Sequence, residues 1–180
     1  MNYQFLWDNM IISSIEEVEQ AAQLILKGKD IYEEIVKDTK VPWWFIGVTH
    51  YRESTCKFNK HPHNGDPLSK KTTHVPAGRP IKGNPPFTFI ESAKDLYFSL
   101  KKYDTYEDWN IPSILYRLEA FNGMGYSKRN IPSPYLWNKT NHYKIGKYSS
   151  DGVYDPNLVD KQVGTAPLVR MLTDKTLGLV

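Results

Sequence analysis

One carboxylic acid and the polar loop behind it carry the strongest chemical signal in this sequence. Glu53 closes an unusually apolar segment, Val41-Pro-Trp-Trp-Phe-Ile-Gly-Val-Thr-His-Tyr-Arg-Glu53. Burial at the end of such a helix would desolvate the acid and raise its pKa, so that it stays protonated near neutral pH as a general acid must. The loop that follows contains Asp66 and Thr72, whose oxygens can hold a water molecule. This combination is typical of glycan-cleaving sites.

Histidines are concentrated near this loop, at positions 50, 61, 63 and 74. Their spacing matches no zinc signature and only one cysteine lies nearby, so we expect neither a metal nor another cofactor. His50 precedes Glu53 by three residues, which places both side chains on one helical face. It is a candidate substrate contact, and it could also tune the pKa of Glu53.

Length and composition indicate one globular domain spanning residues 1–180. The chain has 40% hydrophobic and 24% charged residues, and its single Cys56 cannot form an internal disulfide. No apolar run reaches the length of a membrane span, and the N-terminus lacks the features of a secretory signal. We therefore expect a monomer without membrane insertion that collects in the cytoplasm and acts beyond the membrane only after permeabilisation.

Positive charge is concentrated in one segment of the chain. Between positions 57 and 82, six basic residues stand against Asp66 alone. Such a segment would attract nucleic acid, an anionic wall polymer or a lipid surface, or it could be a solvated loop that needs charge for solubility. Nucleic acid is disfavoured, because aromatic residues are not interleaved with the charges and no nucleic-acid-binding module is present.

The dominant period along the chain is helical. Ser14 to Glu17 resembles a capping box, after which an apolar stripe runs to Gly28, and a short helix is predicted over 31–37. Pro42 suits the first position of a helix that runs through the core to Arg52. Further helices are predicted at about 91–102, 112–121 and 158–172.

Between Pro62 and Pro86 the helical period fails. This stretch contains six of the twelve prolines, which predicts an irregular or β-containing insertion. The predicted fold class is therefore mainly α (α+β), with a buried central helix that ends at Glu53. Residues 1–40 form a helical N-terminal extension whose role the sequence does not indicate.

Several motifs resemble those of known glycan-cleaving enzymes. The run His50-Tyr-Arg-Glu53-Ser54 resembles the Glu-Ser signature of goose-type lysozymes and lytic transglycosylases, and Glu119-Ala-Phe-Asn122-Gly-Met-Gly-Tyr126 is similar to their cleft-lining Ala-Tyr-Asn-Ala-Gly segment. The wider pattern from about Trp43 to Leu172 resembles a lysozyme-like family of phage and bacterial genomes. That pattern includes His63-Asn-Gly-Asp66-Pro-Leu, Ser133-Pro-Tyr-Leu-Trp137 and Gly146-Lys-Tyr148.

The resemblance implies a lysozyme-like fold and a muramidase that acts on peptidoglycan glycan strands. In those enzymes the glutamate protonates the glycosidic oxygen, which implies that role for Glu53. The candidate substrate-binding residues are His50, His63, Asn64, Glu119, Asn122, Tyr126, Tyr135, Trp137, Tyr148 and Gln162. Tyr135 and Trp137 lie in a segment rich in Asn and Ser. If their rings are exposed, they would stack on sugars; the alternative is that they are partly buried in the core. Gln162 could face the cleft or cap a helix.

Phage-type lysozymes provide a second resemblance. They place a Thr six positions after a catalytic Asp, as Asp66 and Thr72 are placed here, although the thirteen positions between Glu53 and Asp66 exceed that family's spacing. Water held by this pair would give inverting hydrolysis, whereas Glu53 alone would give the anhydro product of a lytic transglycosylase. Asp66 in Asn-Gly-Asp-Pro could also be a turn former. A non-catalytic peptidoglycan-binding or virion structural protein remains a further alternative.

Overall fold

The computed structural model describes residues 1–174, and just under half of them are helical. A small two-stranded antiparallel sheet is the remaining regular structure in this part of the chain. The predicted α(+β) class is confirmed at this level. Contacts along the chain separate two compact units: Met1–Leu24 with the chain from Asn110 onward, and Ile25–Trp109. That the whole chain acts as one lysozyme-like domain stays a prediction.

The Ile25–Trp109 unit is built around a central helix. Its elements are α3 (Lys29–Val36), α4 (Trp43–Ser54), α5 (Phe89–Lys94), a π-helix (Asp95–Leu100) and a 3₁₀ turn (Tyr103–Thr105). Helix α3 packs against α4 and α5. In α4 every residue from Phe45 to Tyr51 is buried, as its apolar sequence predicts. Gly47 allows close packing, because a Cβ there would lie 2.5 Å from Cγ2 of Ile25.

The ends of α4 explain where it begins and stops. Pro42 is the N-cap residue, in extended conformation, and the helix begins at Trp43. The sequence predicted Pro42 as the first helical residue instead. At the other end Thr55 adopts the left-handed conformation, and its N–H donates to the carbonyl of Tyr51. From there to residue 86 the chain is irregular, which confirms the predicted insertion.

The other unit contains short helices and the sheet. Its helices are α1 (Tyr3–Asp8), α6 (Ile111–Asn122), α7 (Gly125–Lys128), α8 (Pro134–Trp137) and α9 (Thr165–Thr173), and β1 (Lys147–Ser150) pairs with β2 (Val153–Asp155). Helix α1 packs against α6, while α8 packs against both α6 and α9. Helix α2 (Ile15–Leu26) runs from this unit into the other one, and its residues Val18, Ala22 and Ile25 are buried.

Residues 1–40 are integral to both units. Arg170 donates hydrogen bonds to the carbonyls of Trp7 and Met10, and Asn141 exchanges hydrogen bonds with Asn9 and Ile11. These contacts give the N-terminal segment the structural role that the sequence did not indicate. Residues 25–36 contribute the end of α2 and all of α3 to the Ile25–Trp109 unit.

Two predictions about helix starts need correction. The helix predicted over 158–172 begins only at Thr165, because the segment before it serves as a partner for Asn138, whose amide donates to the carbonyls of Asp160 and Gln162. The full capping box lies at Thr88 and Glu91 rather than at Ser14. Among residues 1–174, no helix combines the length and apolarity needed to cross a membrane.

Candidate functional site

Glu53 lies in the last turn of α4, where the helix reaches the protein surface. The helix is buried through Tyr51, but Glu53 itself is exposed. The prediction that burial desolvates this carboxyl group is therefore wrong. What the helix provides is a fixed position, since seven consecutive buried residues anchor α4 just before it.

The backbone directly after Glu53 is strained. Thr55 and Cys56 have φ angles of 54° and 58°, in the left-handed region that residues other than glycine rarely occupy. For a β-branched residue such as Thr55 this conformation is an outlier, and backbone outliers of this kind are concentrated at functional sites. The turn ends α4 abruptly and leaves Glu53 at the margin of the helix.

Thr49 and Tyr97 support the face of α4 that carries Glu53. Thr49 lies one turn before Glu53, and its hydroxyl oxygen is 2.7 Å from that of Tyr97. The Thr49 hydroxyl also lies within hydrogen-bond distance of the carbonyls of Phe45 and Ile46. Since a carbonyl can only accept, Thr49 donates to the backbone and Tyr97 donates to Thr49.

Tyr97 belongs to the π-helix. This type of helix is rare in proteins, and where it occurs it often lies at a functional site. Burial raises the pKa of Tyr97 far above the usual range, and the negative charge of Glu53 raises it further.

His50 is a core residue and not a substrate contact. It is 1% exposed, between the rings of Phe58 and Phe89. Its Nε2 lies 3.1 Å from the carbonyl of Lys57, which can only accept, so Nε2 carries the proton and Nδ1 accepts from the Tyr32 hydroxyl. Burial lowers the pKa of His50 to about 4.

Both carboxylate oxygens of Asp66 form hydrogen bonds within the loop. Its Oδ2 accepts hydrogen bonds from the N–H groups of Thr73 at 2.7 Å and His74 at 3.0 Å, and its Oδ1 lies 2.6 Å from Nδ1 of His74. The bonds from the His74 backbone, the His74 side chain and the Thr73 backbone lower the pKa of Asp66. This geometry makes Asp66 a turn former, and its lowered pKa makes it a weak base towards water.

Thr72 and Asn64 are likewise engaged in the loop. The Thr72 hydroxyl donates to the carbonyl of Pro76 at 2.6 Å and accepts from the N–H of Arg79 at 2.9 Å. The amide of Asn64 donates to the carbonyl of His74, and its oxygen accepts from the N–H of Asp66. The prediction that Asp66 and Thr72 hold a water is corrected for this reason: the groups that would hold it are used within the loop.

His63 lies in a buried chain of hydrogen bonds that fastens the loop to α5 and the π-helix. Its side chain is 0% exposed, with Nε2 at 2.9 Å from Asp95 and Nδ1 at 3.3 Å from the Ser92 hydroxyl. His61 contacts the same hydroxyl at 2.6 Å, and Arg79 pairs with the other side of Asp95. His63 is thus a structural residue, and its prediction as a substrate contact is wrong.

Glu119 is also interior. It is 0% exposed; Oε2 accepts from the Tyr3 hydroxyl at 2.7 Å, and Oε1 accepts from the hydroxyl and N–H of Ser127 at 2.6 and 3.2 Å. Its predicted contact with substrate is therefore wrong. The acid joins α1, α6 and α7 within one unit.

The aromatic residues predicted to stack on sugars are mostly buried. Tyr135 and Trp137 are 3% and 0% exposed, because Ser133 caps a short helix, α8, whose four residues all lie in the core. Tyr126 is buried as well, and its hydroxyl accepts from the N–H of Tyr148. These three side chains cannot contact a glycan in this structure.

Besides Asn64, three predicted substrate contacts remain at or near the surface. Asn122 is exposed at the end of α6, whereas Tyr148 and Gln162 are half-buried. The ring of Tyr148 packs edge-on against Tyr126, and its hydroxyl donates to the carbonyl of Gly125. These three residues belong to one unit, and Glu53 belongs to the other.

No group of three or more His, Cys, Asp or Glu side chains in residues 1–174 is arranged to hold a metal ion. Comparison of the chain with known protein families, curated proteins and solved structures gives no match.

The residues that support Glu53 differ in how clearly the sequence indicates them. Thr49 could have been found, because it lies four positions earlier on the same helical face. Tyr97 carries no comparable signal, since the π-helix that presents it is not encoded in a simple period.

Proposed function

We propose that this protein cleaves the β-1,4 bond between N-acetylmuramic acid and N-acetylglucosamine in peptidoglycan, with Glu53 as the general acid. The observation that carries the proposal is the placement of Glu53. It is exposed at the end of a buried helix, and beyond Ser54 the next two residues adopt the left-handed conformation. The resemblance of Arg52-Glu53-Ser54 to the signature of goose-type lysozymes and lytic transglycosylases supports the same role.

In the proposed reaction, Glu53 donates its proton to the glycosidic oxygen as the bond to the anomeric carbon breaks. Because Glu53 is exposed in the free protein, the bound glycan must exclude water from its carboxyl group. Thr49 and Tyr97 act as positioning residues, since they fix the turn of α4 from which Glu53 projects.

Of the two possible products, the contacts of Asp66 favour the anhydro sugar. Inverting hydrolysis needs a carboxylate free to accept a proton from water, and Asp66 is already bonded to Thr73 and His74. In the alternative, the C6 hydroxyl of muramic acid adds to the anomeric carbon and its proton passes to the Glu53 carboxylate. No water is consumed, and the enzyme is a lytic transglycosylase.

The substitution Glu53→Gln tests the assignment, because the amide keeps the shape of the side chain and loses the transferable proton. We expect turbidity loss of purified murein to fall at least a hundredfold, the scale of general acid catalysis, while sedimentation with murein is retained. Glu19→Gln, an exposed position on α2, is the matched control and should behave as wild type. Equal activity of wild type and Glu53→Gln would overturn the assignment.

The proposal also includes how the protein reaches peptidoglycan. The protein collects in the cytoplasm and reaches peptidoglycan once the membrane is permeabilised. Expression should therefore be tolerated until a permeabilising agent is added, and lysis should then follow in wild type but not in Glu53→Gln. Rapid lysis without that agent would contradict this part of the proposal.

A further inference from the structure

The irregular segment from residue 57 to 86, here called the proline loop, has a fixed backbone. Its inner turns are closed by backbone bonds from His61 to Asp66, from Thr72 to Arg79 and from Phe87 to Leu68. Asp95 fastens it from outside, since it pairs with Arg79 and accepts from the N–H of Ile81. The loop backbone therefore fixes the positions from which its side chains extend.

Two apolar side chains of the proline loop point into solvent. Val75 is 89% exposed at the tip of the turn that the Thr72–Arg79 bonds close, and Ile81 is 62% exposed. A single exposed apolar residue is ordinary on a protein surface. Here the two lie on one preorganised loop, and Nζ of Lys71 bonds the carbonyl of Ile81.

The exposed lysines of the proline loop give its surface one sign of charge. Lys57, Lys60, Lys70 and Lys82 are exposed, and none of them forms a salt bridge within residues 1–174. The single carboxylate of the loop, Asp66, is buried, and its oxygens bond Thr73 and His74. The outer surface of the loop thus presents cations and no accessible acid of its own.

We propose that the proline loop docks the protein on an anionic phospholipid surface, with Val75 and Ile81 entering the headgroup region and the four lysines facing the lipid phosphates. Lysines near such a surface attract it additively, and apolar side chains gain by leaving water. A soluble polyanion would use the lysines equally well but would gain nothing from Val75 and Ile81. The apolar pair therefore favours a lipid bilayer as the partner.

The test measures co-sedimentation of the full-length protein with vesicles of equimolar phosphatidylglycerol and phosphatidylcholine, and with vesicles of phosphatidylcholine alone. Wild type should bind the anionic vesicles and not the neutral ones. The pair Lys70→Gln and Lys82→Gln should weaken binding roughly thirtyfold, because each lysine contributes about a fivefold factor. Lys128→Gln with Lys144→Gln, at exposed positions outside the loop, should have no effect.

The apolar contribution has its own variant. Val75→Ser with Ile81→Ser should reduce binding to anionic vesicles roughly tenfold or more, by the scale of apolar burial. Ile11→Ser with Ile15→Ser is the matched control, since these side chains are 68% and 63% exposed but lie outside the loop. Circular dichroism verifies that all variants fold.

Two outcomes would overturn the proposal. The first is binding to anionic vesicles no stronger than to neutral ones. The second is unchanged vesicle binding by the Val75→Ser, Ile81→Ser variant, which would assign the loop to a polyanion; inorganic polyphosphate is the probe for that ligand. The proposal does not depend on catalysis, because Glu53→Gln should bind vesicles as wild type does.

Discussion

Nδ1 of His74 lies 2.6 Å from Oδ1 of Asp66, and the other carboxylate oxygen of Asp66 accepts from the backbone of both Thr73 and His74. These bonds lower the pKa of Asp66. A base that takes a proton from water works best with a pKa close to the working pH. The relationship therefore favours a structural role for Asp66 and a route to bond cleavage that uses no water.

The variant Asp66→Asn distinguishes a structural role of Asp66 from a catalytic one. With its oxygen in the place of Oδ2, the amide can still accept both backbone bonds, but its NH₂ group then replaces Oδ1, the oxygen that contacts Nδ1 of His74. We expect faster tryptic cleavage at the lysines of the proline loop, with murein turnover per folded molecule close to wild type.

The control for this variant is Asp151→Asn, at an exposed position of the other unit. Because the pKa of Asp66 is lowered, its stabilisation is complete above the ordinary Asp pKa of about 4 and is lost only at more acidic pH. The contribution of the two backbone bonds to Asp66 should thus persist down to about pH 4. A variant with an intact loop and no turnover would instead identify Asp66 as the catalytic base.

Removal of the buried acid Glu119 should destabilise the protein. Glu119→Ala leaves the Tyr3 hydroxyl and the N–H of Ser127 without their acceptor, at a cost of about 3 kcal/mol in the free energy of unfolding. Glu119→Gln should cost less, since the amide oxygen can still accept from Ser127. Urea denaturation measures both, and equal losses for the two variants would contradict this account of the contacts.

His50 should make stability depend on pH. Its pKa is lowered to about 4 by burial, whereas an unfolded histidine titrates near 6.5. Below that pH the unfolded state binds more protons, so the free energy of unfolding falls as the pH drops from about 6.5 to about 4, by about 3 kcal/mol in total. Urea midpoints across this range measure the slope.

Replacement of His50 by Gln should flatten that slope, although it also lowers stability at neutral pH. Some slope should remain, because burial lowers the pKa of His63 in the same direction, against the opposing effect of Asp95. An unchanged slope in His50→Gln would show that His50 is not the titrating group.

The helices with strong apolar periods could be predicted from the sequence. The apolar run that begins at Trp43 has no competing turn signal, and α4 forms where it was predicted. Helix α1 was missed, because a helix of six residues is not stable by itself and depends on packing against α6. Tertiary contacts also surround the start of α9. Gly164, the residue before the helix, packs directly on the backbone of Leu136, since a Cβ there would lie 2.4 Å from the carbonyl oxygen of Leu136.

Burial of individual polar and aromatic groups was the least predictable property. Tyr135 and Trp137 lie among Asn, Ser and Pro residues that are typical of loops, yet the helix that contains them is fully buried. Glu53 shows the opposite error, since the apolar run before it indicated burial and the helix ends just where solvent begins. Local sequence gives the helix, but the packing of distant segments decides which end is covered.

The masses of the fragments released from purified murein test the central claim most directly. With Glu53 as general acid and no base free to activate water, wild type should release anhydro-muropeptides, each lighter by one water than the hydrolytic product. Glu53→Gln should release none, and Glu19→Gln should match wild type. No release by wild type, or equal release by wild type and Glu53→Gln, would contradict the assignment of Glu53.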